Sequence, residues 1–111
     1  MIIYKILTAD QWRALEAAGQ SEGAPVDVAD GFIHFSTADQ VRETAARHFG
    51  GQEGLWLLAY KADGMAALKW EPSGGGDLFP HLYAKLTVDG LVAASELPLG
   101  PEGHVFPEGI A

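Results

Sequence analysis

Apolar and polar positions alternate along this chain with two periods, and the changes between them mark out strands and helices. Ile2 to Leu7 predicts a short strand. Thr8 then stands three residues before Gln11, the spacing of a capping box, and Trp12, Leu15 and Ala18 share one helical face that Gly19 ends. Residues 20–30 are polar, with Gly23, Pro25 and three acidic side chains, and predict a surface loop placed to cover a pocket. In Phe32 to Ser36, period-two alternation puts Ile33 and Phe35 on one face and Phe32, His34 and Ser36 on the other. Ser36 or Thr37 is placed to cap a second helix, whose buried stripe is Val41, Ala45 and Phe49 and whose end is Gly50-Gly51.

Leu55 to Tyr60 is apolar without alternation and predicts a central strand covered on both faces. After the Lys61–Gly64 turn, Leu68-Lys69-Trp70-Glu71 alternates like a strand, with Lys69 and Glu71 on one side. Gly74-Gly75-Gly76 lies in a mobile connection; no Lys-Ser or Lys-Thr follows, which argues against a phosphate loop. From Phe79, a strand directs His81, Tyr83 and Lys85 to one face and Leu82, Ala84 and Leu86 to the other, and Asp89-Gly90 predicts a hairpin into Leu91 to Leu97. Residues 98–111 are rich in Pro and Gly and are expected to be an irregular tail. The pattern predicts a single α+β domain over residues 1–97, a bent, mixed or mostly antiparallel sheet of about five or six strands with two helices.

A chain of 111 residues supports one core, burying roughly 60 to 70% of its unfolded surface. No apolar run is long enough for a membrane-spanning helix, so no membrane partner is expected. The start lacks the features of a signal peptide, which makes the cytoplasm the expected location. The absence of cysteine excludes disulfides, thiolate nucleophiles and sulfur-ligated zinc. A net charge of -8 argues against a scaffold role on nucleic acid, whereas a small anionic ligand needs only a local cation or helix terminus. No pattern sets an oligomeric state.

The candidate chemistry lies on the faces turned away from the aliphatic core. His34, Glu71 and His81 are the candidate catalytic groups, Ser36 and Tyr83 the candidate ligand-binding groups, and Trp70 a candidate wall. A cluster of these side chains would let burial and neighbouring charge tune imidazoles and a carboxylate for proton transfer. Taken singly, each also has a plain structural reading: a histidine donating to a carbonyl, Ser36 as a helix cap, Glu71 paired with Lys69. His34, His81 and Glu71 could together form a three-ligand metal site, but the short His-x-His or His-x-x-x-His spacings of such sites are missing and no metal is expected. No nucleophile-elbow pattern surrounds Ser36. Trp12 and Trp56 read as core, and His48 as a cation at a helix C-terminus.

Asp30-Gly31-Phe32-Ile33-His34-Phe35-Ser36-Thr37, followed by Leu68-Lys69-Trp70-Glu71 and Phe79-Pro80-His81-Leu82-Tyr83, resembles domain-of-unknown-function family 952. The opening Ile3-Tyr4-Lys5-Ile6 and Trp12 carry the resemblance over nearly the whole chain before the tail. It implies a distant kinship with the ADP-ribosyltransferase-like fold, whose split sheets grip a dinucleotide. On that kinship His34 with Ser36 is the early polar motif and Glu71 or His81 the later one, the ligand is a nucleotide or NAD-like molecule, and the reaction is ADP-ribosyl or phosphoryl transfer. The other readings are a noncatalytic module binding a metabolite or peptide in the same cleft, and a metal-dependent hydrolase.

Overall fold

The structure, a computed structural model, describes residues 1–73 and 75–110. Its centre is a four-stranded antiparallel sheet built on the two most apolar segments. Strand β1, Ile2–Thr8, pairs along its whole length with β5, Leu55–Lys61. Both faces of this pair are covered. Ile3, Leu7, Leu58 and Tyr60 pack beneath helix α1, Ala9–Ala18, through Trp12 and Leu15, while Tyr4, Ile6, Leu55 and Leu57 pack against helix α3, Ala38–Phe49, through Val41 and Ala45. Both helices begin where the sequence places their caps: Thr8 accepts from the Gln11 amide while the Gln11 side chain accepts from Thr8, and the Gln40 side chain accepts from the Thr37 amide.

Strand β9, Leu91–Leu97, completes one edge of this sheet against β5. The other edge is β4, Ser36–Thr37, which pairs with β1 only at Tyr4 and Ile3. A second, three-stranded sheet is formed by β3, Ile33–His34, then β7, Leu78–Leu82, then β6, Leu68–Pro72, all antiparallel. Residues 33–37 join the two sheets: His34 lies opposite His81 in one, Ser36 opposite Tyr4 in the other, and between them the Phe35 amide donates to the Pro80 carbonyl. The Phe35 ring is fixed below in the core, edge-on to Tyr60 at 5.5 Å.

Several expectations need correction. Residues 25–30 form a third helix, α2, Pro25–Asp30, where a loop was expected, because Pro25 opens the first turn and Gly31 closes the last at φ +88°. Asp89-Gly90 does not join two strands of one hairpin. The strand before it shortens to β8, Leu86–Thr87, which pairs with β2, Gln20–Ser21, while β9 joins the other sheet. The tail is not wholly irregular, since β10, Leu99–Gly100, and β11, Gly103–His104, make a small ribbon, and Phe106 and Ile110 pack onto the core beside α3. Gly75 and Gly76 lie in the connection between β6 and β7, and Gly74 lies outside the described residues. The result is an α+β fold that has, among the described residues, three helices and only antiparallel strand pairings.

Candidate active site

Past Tyr4 the edge of β1 has no further strand pairing among the described residues, and a cleft of about 690 Å³ opens there. Lys5, Ile6 and Thr8 lie along its floor; Pro25, Val26 and Asp30 of α2 form one wall, and Gln40, Thr44, Arg47 and His48 of α3 the other. His34, Ser36, Phe79 and His81 close its head. The volume falls within the roughly 300–1,000 Å³ typical of small-molecule sites.

The two imidazoles converge. His34 and His81 stand 5.5 Å apart, edge to face, because their strands pair with these residues directly opposite each other. Phe32 stacks on the His81 ring at 4.1 Å and tilts against His34 at 4.5 Å, so one aromatic side chain braces both. Each imidazole is also oriented through Nδ1 by a carboxylate. His81 Nδ1 lies 2.9 Å from Glu71 Oε1, which accepts a second hydrogen bond from the Tyr83 hydroxyl at 2.7 Å. Those two bonds, Tyr83 first, hold the Glu71 carboxyl below its usual range, and the same contact raises Tyr83.

His34 Nδ1 lies 2.6 Å from Asp27 Oδ1, and the His34 amide donates to the same oxygen at 3.1 Å. Asp27 is the hub of the site. It is 1% exposed, receives the Ala24 amide at 2.7 Å on Oδ2, and is ion-paired with Lys5, whose Nζ lies 3.0 Å from Oδ1 and 2.8 Å from Oδ2. Gly23 is held at φ +101° directly against it, where an added Cβ would come within 2.6 Å of Oδ2. Burial acts to raise the Asp27 carboxyl, but the His34 hydrogen bond, the Lys5 charge and hydrogen bond, and the His34 amide outweigh it and hold the group at about 2. Burial lowers the Lys5 ammonium, and Asp27 opposes that shift.

This geometry gives the protein an acid-labile link. The folded carboxyl at about 2 lies below the 3.8 of an unperturbed aspartate, so folding favours its ionised form. That stabilisation, about 2 kcal/mol, is complete above about pH 4 and disappears as the pH falls toward about 2. Urea unfolding at about pH 5 and about pH 2 should show the loss, and Asp27→Asn should flatten this part of the profile; an unchanged slope in the variant would rule it out.

Of the residues singled out from sequence, the structure brings His34, Ser36 and His81 to the cleft and places Glu71 and Tyr83 just behind it, supporting His81. The Ser36 hydroxyl is occupied by Thr44 Oγ1 at 2.8 Å, and Thr37, not Ser36, caps α3. Trp70 is not a wall of the cleft. It lies opposite Pro80, and strand alternation turns it to the face opposite Lys69, Glu71 and His81, where it is 40% exposed. Lys5, Asp27, Asp30 and Phe32 were missed as site residues. One signal was available, because a lone lysine inside a strand buried on both faces needs a buried partner. Among the described residues no group of three or more His, Asp or Glu side chains is arranged to hold a metal ion. His104 closes off the tail by binding the Gln52 carbonyl.

An α+β protein with a split antiparallel architecture and a two-imidazole cleft is the class that these features define. Residues 6–94 match the family described as "Protein of unknown function (DUF952)", and the chain belongs to that family. The crystal structure of protein CC0527 from Caulobacter crescentus, a structural-genomics target, superposes with a TM-score of 0.89 at 48% identity, covering 94% of this chain and 92% of that one. The solution NMR structure of CC0527 gives a TM-score of 0.83 at 48% identity, covering 93% and 90%. No curated protein matches. No helix among the described residues is long and apolar enough to cross a membrane.

Proposed function

We propose that the cleft binds a phosphorylated, nucleotide-like small molecule and catalyses transfer or hydrolysis at its phosphoryl group, with His34 and His81 handling the protons. The observation that carries this reading is the pairing of two imidazoles 5.5 Å apart at the head of a cleft, each anchored through Nδ1 on its own carboxylate so that Nε2 is the working atom. One ring takes the proton from an attacking hydroxyl or water as its oxygen bonds to phosphorus; the other gives a proton to the leaving oxygen as the P–O ester bond breaks. The hydrogen-bonded carboxylates fix the ring orientations and stabilise the imidazolium that forms in turn.

ADP-ribosyl transfer fits less well. In that chemistry a glutamate faces the ribose, whereas Glu71 spends Oε1 on His81 and Tyr83 and does not line the cleft. The distant kinship with dinucleotide-gripping folds that the family resemblance implies is the ground for taking a nucleotide as the carrier of the phosphoryl group, and an NAD-like ligand belongs in the same panel.

The test is thermal unfolding against NAD, ADP-ribose and nucleoside mono- and diphosphates, followed by product analysis. Ligand at about a hundred times its Kd adds about 2.7 kcal/mol, which for a domain of this size raises Tm by roughly 10–20 °C. His34→Ala should abolish the shift. Absence of a shift across the panel rejects the reading, and binding with release of unchanged ligand would make the protein a binding module.

A further inference from the structure

We infer that Asp30 sits where an oxygen of the ligand belongs, and that the group seated there is a phosphoryl oxyanion bridging His34 and His81 and displacing the Asp30 carboxylate. This rests on the phosphoryl reading above and adds the position of the anion and the residue that competes for it.

Two acidic side chains, three apart on α2, hold the two nitrogens of one imidazole, and they are unlike in every other respect. Asp27, on Nδ1, is buried and held by Lys5 and two backbone amides. Asp30, on Nε2 at 2.9 Å, has a side chain 49% exposed and makes no other hydrogen bond among the described residues. It is the last residue of the helix, followed by Gly31, so a rotation of its side chain into water breaks nothing else. A carboxylate only accepts hydrogen bonds, so the Asp30 contact is the kind that an anionic ligand oxygen would make with the same nitrogen at the cleft.

His81 supplies the second half of the seat. The residue is 4% exposed and lines the same cleft, yet Nε2 makes no hydrogen bond among the described residues. No fully enclosed side-chain nitrogen or oxygen among those residues lacks a partner, so this nitrogen is not sealed in the core, and the residue that carries it lines the cleft. Asp30 satisfies His34 but not His81. A ligand carboxylate would mainly exchange one planar anion for another on His34. A phosphoryl group has three oxygens in a tetrahedral array and up to two charges, and can accept from both rings at once.

Asp30 is thus an internal competitor, and a seat occupied nine-tenths of the time by it weakens apparent affinity about tenfold. The test is titration calorimetry with inorganic phosphate and adenosine monophosphate on the wild type, Asp30→Ala and Glu16→Ala. Glu16 is exposed on α1 and does not line the cleft, so it controls for the loss of one negative charge. Asp30→Ala should bind both probes about tenfold more tightly, and Glu16→Ala within about twofold of wild type. Equal gains in the two variants, or no gain in Asp30→Ala while the wild type binds nucleotide, overturn the inference and leave the phosphoryl reading standing. Weaker binding in Asp30→Ala also overturns it, since Asp30 would then be assisting the ligand. Acetate serves as the second probe class, and acetate binding to Asp30→Ala as tightly as phosphate refutes the tetrahedral seat. If neither phosphate nor nucleotide binds any of the three proteins, the phosphoryl reading falls as well.

Discussion

Lys5→Met is expected to destabilise the protein by about 3–5 kcal/mol, the loss typical of breaking a buried ion pair from one side. Methionine fills the same volume, so the loss comes from charge and not from a cavity. Asp27 would remain 1% exposed with its cation removed, supported only by backbone amides and His34. At about 4–8 °C per kcal/mol for a chain of this size, Tm should fall by at least about 12 °C. Lys5→Met/Asp27→Asn should be more stable than Lys5→Met alone, because an asparagine oxygen still accepts from an amide without stranding a charge. A single variant within about 1 kcal/mol of wild type in urea unfolding would show that the pair adds little.

The second large effect is expected at His81. His81→Gln should lower turnover of the phosphorylated substrate by about 10²–10⁴-fold, the usual contribution of one positioned acid or base. Glutamine retains a polar group but cannot carry the proton. Ligand affinity should fall less than turnover, because the glutamine amide can still donate to the bound phosphoryl group while the proton transfer is lost. Glu71→Gln should produce a smaller fall and shift the pH profile, since Glu71 acts through the imidazole it orients. Equal turnover in His81→Gln and wild type would remove His81 from the chemistry, whatever binds in the cleft.

Much of the fold was legible because it is decided locally. The capping residues Thr8 and Thr37, the stripe of Val41 and Ala45, and the unbroken apolar run of β5 each specify an element within a few residues. The faces of His34 and His81 were legible for the same reason, since alternation alone turns them together with Phe32 and Tyr83. Helix α2 was hidden because its outward positions are Val26 and Val28, both exposed, and its inward one is the charged Asp27, the reverse of an amphipathic pattern. Asp27 becomes an inward residue only through Lys5, which lies 22 positions earlier. The misplaced hairpin has a similar cause. Nothing local to Asp89-Gly90 records that β7 and β9 belong to different sheets, a decision made by their pairing with β3 and β5.

The stitch at residues 33–37 divides the protein into fixed and variable parts. The paired rings inherit their spacing from the β3–β7 ladder, while the surrounding walls come from α2 and α3, which reach the cleft in part through exposed positions such as Val26 and Arg47. Substitution at those wall positions changes what the cleft admits and leaves the spacing of the two imidazoles undisturbed.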